Sequence, residues 1–307
     1  MVRATRFTHP DSVDAWDQWF RWREGALLHD RTIDATWMRV AQAVVPADAG
    51  DGEAWVRRYV EAFSRWQLLP DERLLQCAGT GQAFSDFEAP AAALNAAAFV
   101  AAAGTRQARF DAERFASIAA LAVRLLDDAS LAVASGAHAG PLRIGVIGFT
   151  DALHLLGLDY LGARAVDFAR EIGRSLATGT LQGELDLVES RGARLAASES
   201  LLEDWRSRRV AGWKIERVAR DGLRHDGLTA LDPHPRLALL ANRASDALEP
   251  HGAAAHALPH CDCHRLPRSA ADAARRELHA AIQPSIDAMV EGEGDATYPQ
   301  WSSAATQ

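Results

Sequence analysis

The sequence has no apolar run of about 20 residues, the length that a helix needs to cross a bilayer. Its first residues also lack the apolar core of a secretory signal. Lysine and arginine, 33 in total, are outnumbered by 41 acidic residues, so the formal net charge is −8. This deficit of positive charge argues against a surface that binds nucleic acid or an anionic membrane.

Cysteine is also scarce. The three cysteines are Cys77, Cys261 and Cys263. An odd and small number does not make a disulfide framework, so a reducing compartment is favoured. We therefore expect a cytoplasmic protein that has neither a nucleic-acid nor a membrane partner.

The residues that are present predict a helix-dominated fold. Hydrophobic residues make up 48% of the 307 positions, enough for the core of one large domain or two modest ones. Three stretches in the first third carry apolar residues at helical spacing, with N-caps predicted at Asp11 or Ser12, at Thr32 and at Asp51. Six of the nine tryptophans precede residue 67, which indicates a packed three-helix core rather than an exposed aromatic surface.

The remaining pattern adds further helices and a few short strands. We predict a strand at 143–147, followed by a helix capped by Thr150, and strands at 228–231 and 237–240 on either side of a proline turn. The predicted helices lie at 111–128, from 161 toward 192, and at 199–208, 213–222, 269–281 and 284–290. The expected fold class is α-rich α/β.

One segment resembles a known family. Residues 143–160, RIGVIGFTDALHLLGLDY, are similar to the helix-entry segment of the ribonucleotide reductase large subunit, typically R-x-G-x-G-x-x-G-x-A-D-x-L-x-x-L-G. Residues 69–80, LPDERLLQCAGT, resemble that family's F-L-P-G-G-R-x-L-x-x-A-G-T. Weaker likenesses follow in the family's order at 32–44, 85–100, 110–128, 237–250 and 281–288. The closest type is the adenosylcobalamin-dependent (class II) enzyme.

The resemblance implies a ten-stranded α/β barrel in which a thiyl-radical cysteine, a glutamate base and two further cysteines reduce a ribonucleotide. A complete catalytic subunit is more than twice as long as this chain, so only a remnant of the barrel is expected. Gly79 and Gly81 stand where the family has its radical cysteine and glutamate, and Pro90 stands in place of a reducing cysteine. Cys77 is the nearest thiol and the catalytic candidate.

Substrate binding is expected from two further residues by the same resemblance. The family's phosphate-binding turn reads here as Asp-Pro-His-Pro-Arg and ends at Arg236, while Ser245 lies in the similar segment 237–250. Proline removes backbone N–H donors that such a turn uses for phosphate. Arg236 and Ser245 are therefore the substrate-binding candidates.

A separate cluster has no counterpart in the family pattern. It comprises His256, His260, Cys261, Cys263 and His264. Imidazoles and thiolates at this density suit zinc or a copper ion, so a metal site is one interpretation. A surface loop with incidental ligands and a Cys261–Cys263 redox pair are the alternatives.

These observations divide the chain into an N-terminal helical region at 1–80, a shortened barrel remnant at 81–292 and a flexible tail at 293–307. The favoured function is a reductase-like protein without catalysis of its own, which binds a nucleotide or regulates a partner. The alternatives are an active ribonucleoside-diphosphate reductase, alone or as part of a split enzyme, and a metal- or thiol-dependent protein. Missing strands leave sheet edges, so we expect self-association or association with another reductase subunit.

Overall fold

The structure, a computed structural model, describes residues 4–46, 50–82, 84, 87–133, 140–208, 210–250 and 268–289. Helices dominate these residues, and none of them is long and apolar enough to cross a membrane. The helices are α1 (Pro10–Trp19), α2 (Ile33–Val44), α3 (Gly52–Ser64), α4 (Glu72–Cys77), α5 (Ala112–Val133), α6 (Phe149–Leu155), α7 (Ala163–Arg191), α8 (Glu199–Ser207), α9 (Gly212–Asp221), α10 (Pro235–Leu240) and α11 (Arg268–Ile282). The α-rich α/β class is confirmed.

The strands are short. They are β1 (Arg23–Glu24), β2 (Leu27–Leu28), β3 (Leu68–Pro70), β4 (Ala91–Asn95), β5 (Val100–Ala101), β6 (Arg109–Phe110), β7 (Arg143–Ile147), β8 (Ala230–Leu231) and β9 (Ala288–Met289). The pairs β1–β2 and β5–β6 are small antiparallel ribbons.

The other five strands make the central sheet. β3 is antiparallel to β4, with Leu68 opposite Leu94 and Pro70 opposite Ala92, and β4 is parallel to β7. A parallel bridge from Ile144 to Thr229 places β8 beside β7, and β9 is parallel to β8. Within the described residues the strands do not close into a barrel.

Helices cover both faces of this sheet. On β7, Arg143 and Gly145 face the same side because side chains alternate along a strand. Arg143 Nε lies 2.6 Å from the carboxylate of Asp232, and a Cβ on Gly145 would lie 3.9 Å from Nε2 of His234, so the segment that leads into α10 covers this face. α5 contacts β3, β4 and β7, and the apolar face of α5 and α7 completes the core.

The N-terminal helices carry the expected aromatic core. Trp37 is fully buried and packs its ring 5.5 Å from Phe63 and 5.7 Å from Trp66. Trp16 is also buried, and its indole N–H donates to Thr36 of α2 at 2.9 Å. The prediction that these tryptophans form a packed core is therefore confirmed. This core is continuous with the rest, because β3 pairs directly with β4.

Several boundaries differ from the sequence prediction. Thr32 caps α2 as predicted, accepting from the N–H of Ala35. The predicted N-cap of α1, Asp11 or Ser12, was wrong, because His9 occupies that position. The Thr150 cap was also wrong, because Gly148 occupies the N-cap position of α6. Asp51 holds the N-cap position of α3 without a side-chain hydrogen bond.

Two elements were assigned to the wrong class. Segment 237–240 was predicted to be a strand and is helix α10, because Pro235 sits at the first helical turn, where its missing N–H is not needed. Segment 284–290 was predicted to be helical. It forms a 3-10 turn at Gln283–Ser285 followed by β9.

A buried charged network joins the ends of α5 and α7 to the segment after α9. Asp127, which is fully buried, accepts three hydrogen bonds from Arg224, the shortest at 3.0 Å, and one from Arg191. Burial opposes ionisation of Asp127, but His225, Arg224 and Arg191 outweigh it and hold its pKa well below the usual range. The carboxylate is therefore charged in the folded protein.

His225 completes this network. Its Nδ1 lies 2.8 Å from a carboxylate oxygen of Glu184, and its Nε2 lies 3.4 Å from Asp127. Burial lowers the pKa of His225, yet the two carboxylates raise it by more, so the net shift is upward. The imidazole thus lies between two buried acids.

Candidate functional site

A cavity of about 310 Å³ lies at the end of the sheet where β4 and β7 finish. We call it the strand-end cavity; its polar and aromatic lining comes from Arg65, Trp66, Asn95, Asp151, His154 and Asn242. Ligands of α/β proteins commonly bind beyond the carboxyl ends of parallel strands. Its position makes it the first candidate for a binding site.

The floor of the cavity is fixed by Asn95 and Gly148. Asn95 ends β4, and its side-chain oxygen accepts from the N–H of Ala97 at 3.2 Å. Gly148 follows β7 with φ of +70°, a conformation that glycine adopts without a steric penalty. A Cβ at Gly148 would overlap the Asn95 side chain, so this turn requires glycine.

Helix α6 supplies two titratable groups to the cavity. Asp151 and His154 are three residues apart, so they share one face of the helix. The carboxylate of Asp151 accepts from the backbone N–H of Ser245 at 2.7 Å. His154 is half-buried and has no hydrogen-bond or ion-pair partner within the described residues.

Ser245 lies behind the cavity lining and supports the start of α6. It is buried, and its hydroxyl accepts from the N–H of Thr150 while its carbonyl accepts from the N–H of Gly148 at 2.7 Å. With the bond to Asp151, three contacts tie Ser245 to the start of α6. The predicted substrate-binding residue thus adjoins the cavity and positions Asp151, but it does not line the cavity itself.

The opposite wall contains backbone in a rarely populated conformation. Trp66, Asn242 and Arg243 all have φ near +60°, the left-handed region that costs non-glycine residues about 1–3 kcal/mol each. Side-chain contacts hold two of them in place: the indole N–H of Trp66 donates to the carbonyl of Arg6, and the Asn242 amide accepts from the N–H of Thr8 at 2.7 Å. Such strained residues concentrate at functional sites, which favours this wall as part of one.

The predicted residue Arg236 lies elsewhere. It sits in the first turn of α10, half-exposed, 3.5 Å from Glu72 and stacked on Trp19. Two other residues of this region have pKa values shifted by burial. The pKa of Asp246 is raised to about 6, and the pKa of His234 is lowered. The structure therefore does not bring Arg236 and Ser245 to one cavity wall.

Cys77 also lies away from the cavity. It ends α4, which begins next to the start of β4, where the Asp71 carboxylate accepts from the N–H of Ala91 at 2.8 Å. The cavity begins at Asn95, at the other end of that strand, about 13 Å along it. Burial raises the pKa of the Cys77 thiol, with Arg39 opposing the shift, so the thiol is protonated near neutral pH.

The five predicted metal ligands, His256, His260, Cys261, Cys263 and His264, lie outside the described residues, and so does the tail at 293–307. Among the residues that the structure does describe, no group of three or more His, Cys, Asp or Glu side chains could hold a metal ion. The metal site of the 256–264 segment stays a prediction.

The sequence matches no family model, and no curated protein matches it. The interpretation of the site therefore depends on its own geometry and on the residues that line it.

Proposed function

We propose that this chain is a ribonucleotide-reductase-like protein without catalysis of its own, which binds a nucleotide in the strand-end cavity. Its relation to that family is part of the proposal. Support comes from the motif at 143–160 and from the sheet, in which five described strands are half the number that the resemblance implies.

The lining of the cavity suits a nucleotide. The indole of Trp66 offers a partly buried aromatic face for a base, and the carboxamide of Asn95 can read a base edge. Asp151 and His154 provide an acceptor and a donor for ribose hydroxyls. Within the described residues Arg65 at the rim pairs only with Glu61, whose side chain is 44% exposed, and such a surface pair is readily exchanged for a phosphate. A volume of about 310 Å³ fits a ligand of nucleoside size with its phosphates at the rim.

The observation that carries the non-catalytic part is the lack of a thiol. No cysteine is among the described residues that line the strand-end cavity, and its carboxylate, Asp151, already accepts a hydrogen bond from the N–H of Ser245. Ribonucleotide reduction by this family needs a thiyl radical and a carboxylate base at the ribose. The cavity also has neither the volume nor the thiol that adenosylcobalamin would require beside a ribose, so these residues do not fit that cofactor.

We expect no turnover from the purified chain. Incubation with adenosylcobalamin, a dithiol and each ribonucleoside diphosphate should yield no deoxynucleotide, because the only described thiol lies at the other end of β4. Chromatographic quantification of deoxynucleosides checks this. Product that disappears in Cys77→Ala would contradict the proposal and make Cys77 the radical site.

We expect nucleotide binding to depend on His154. His154→Ala removes a cavity side chain that has no partner in the described residues, so affinity should fall by about tenfold, the effect of one lost polar contact, while folding is unaffected. Isothermal titration with each ribonucleotide measures this.

The matched control is His29→Ala. His29 is also half-buried, but it stacks on Trp22 and does not line the cavity. It should leave nucleotide affinity unchanged. Equal losses in the two variants, or no nucleotide binding by the parent chain, would show that the strand-end cavity is not a nucleotide site.

A further inference from the structure

A second cavity lies between α3, α5 and α7. Its volume is about 380 Å³. We call it the arginine cavity; Trp55 and Arg58 line it from α3, Leu121 and Arg124 from α5, and Gly183 and Leu187 from α7. None of these residues lines the strand-end cavity.

Arg124 is the informative residue. Its side chain is only 17% exposed, and its Nε is buried without a hydrogen-bond partner. Arg124 forms an ion pair with Asp128, one carboxylate oxygen of which lies 3.5 Å from Nε, but this contact is not a hydrogen bond. Both Asp128 oxygens are already engaged, one by the hydroxyl of Tyr59 at 2.5 Å and the other by Arg191.

The N–H groups of Arg124 are therefore available to a further acceptor. Within the described residues none of them makes a hydrogen bond, although buried donors rarely lack an acceptor. A buried donor without an acceptor is costly, and an oxyanion that enters the cavity would supply an acceptor for Nε.

A second arginine stands beside the first. Arg58 and Arg124 stack on the ring of Trp55, with guanidinium carbons 4.6 and 4.2 Å from its centroid. Arg58 is exposed and forms no ion pair in the part of the chain that the structure describes. Both guanidinium groups contact the same indole and line the same cavity, and two forked donor groups in one cavity suit a doubly charged oxyanion.

The remaining wall sets the size and polarity of the ligand. Gly183 packs directly against the backbone of Ala120, so α7 lies close to α5 at the floor, while Leu121 and Leu187 are apolar. Asp186 is the acidic group on the rim, and it accepts a hydrogen bond from Gln182 at 2.7 Å. The two cations of the cavity thus face one exposed carboxylate, and the buried Asp128 that pairs with Arg124 is shared with Arg191.

We propose that the arginine cavity is a binding site for a phosphate monoester, with the phosphate on Arg58 and Arg124 and the organic group on Leu121 and Leu187. A phosphate dianion matches the two guanidinium charges and has enough acceptors for both forks. This site is independent of the nucleotide site proposed above.

The test is isothermal titration of the full chain with inorganic phosphate and with phenyl phosphate, with chloride at equal ionic strength as reference. One phosphate should bind per chain, and phenyl phosphate should bind more tightly because it adds apolar contact. Arg124→Gln and Arg58→Gln should each weaken binding by about tenfold or more, the worth of a charge-assisted hydrogen bond.

The matched control is Arg57→Gln, which removes the same charge from an adjacent, exposed residue of α3 that does not line the cavity. It should leave the affinity unchanged. Should Arg124→Gln fail to fold, the exposed Arg58→Gln decides alone. A parent chain that gives the same titration with phosphate as with chloride, or an equal loss in Arg57→Gln, would overturn the proposal.

Discussion

Asp127→Ala is expected to destabilise the protein by about 3–5 kcal/mol, the cost of leaving buried charges without their partner. Asp127 is fully buried and neutralises Arg224 and Arg191, and the side chain of Arg224 is only 4% exposed. These two guanidinium groups cannot move into water without separating α7 from the segment after α9. His225 would also keep only Glu184 as a partner.

The loss should depend on pH in a defined direction. The pKa of Asp127 is lowered in the folded state relative to about 3.9 in the unfolded chain, so its contribution is present above that value and is lost as pH falls. The difference between parent and variant should be largest near neutral pH and should shrink below about pH 4. Urea unfolding at pH 7 and at successively lower pH values measures it.

A matched aspartate provides the control. Asp167 is also helical and paired, but its ion pair with Arg170 is exposed, at 74% and 54% of the two side chains. Asp167→Ala should cost no more than about 0.5 kcal/mol. If both variants lost equally little, the buried network would not contribute the expected stability.

Helices were the most predictable part of the fold. α2, α7, α8, α9 and α11 agree with the predicted helices to within a few residues, because each carries an apolar stripe at helical spacing. The C-terminal end of one helix was also predictable from the sequence. Gly192, at which the helical pattern was predicted to end, is the C-cap of α7.

Strand β4 could not be predicted from local sequence. Its residues Ala91–Asn95 read AAALN, and alanine favours helices. The segment is a strand because it lies between β3 and β7 and its small side chains fit under α5. Such tertiary requirements override intrinsic propensity and leave no trace in a periodicity argument.

The strand-end cavity is assembled from residues distant in sequence, so no local motif indicated it. Trp66, Asn95, His154 and Asn242 meet only because β4, β7 and the end of α10 converge at one edge of the sheet. One indication of the cavity was present in the sequence: Asp151 and His154 are three residues apart, which places both side chains on one helix face.

The motif at 143–160 is explained by the packing that it specifies. Arg143 forms an ion pair with Asp232. Because they lack a side chain, Gly145 allows the backbone of β8 to pack closely and Gly148 allows the side chain of Asn95 to do so. Asp151 holds Ser245. Each motif residue thus joins β7 to a neighbouring element, so packing alone accounts for these residues. A resemblance that consists of such residues is informative about architecture and leaves chemistry to be tested.

The contact between α5 and α7 is expected to be the most sensitive to an added methyl group. The two helices run parallel, with Gly179 over Ala116 and Gly183 over Ala120. A Cβ at Gly179 would lie 2.8 Å from the Cα of Ala116 and closer still to its carbonyl oxygen. Because the obstruction is backbone, no side-chain rotation can relieve it.

Gly179→Ala should therefore destabilise the protein by about 2–3 kcal/mol through overpacking, although alanine is the better helix former by about 1 kcal/mol. Gly212→Ala is the control, since Gly212 begins α9 and a Cβ there would meet nothing within 4 Å. That variant should be neutral or slightly stabilised. Thermal and urea unfolding of both variants measure the difference, and Ala116→Gly should not rescue Gly179→Ala, because the Ala116 methyl is not the obstruction. Equal stability of the two glycine variants would mean that α5 and α7 do not pack backbone to backbone.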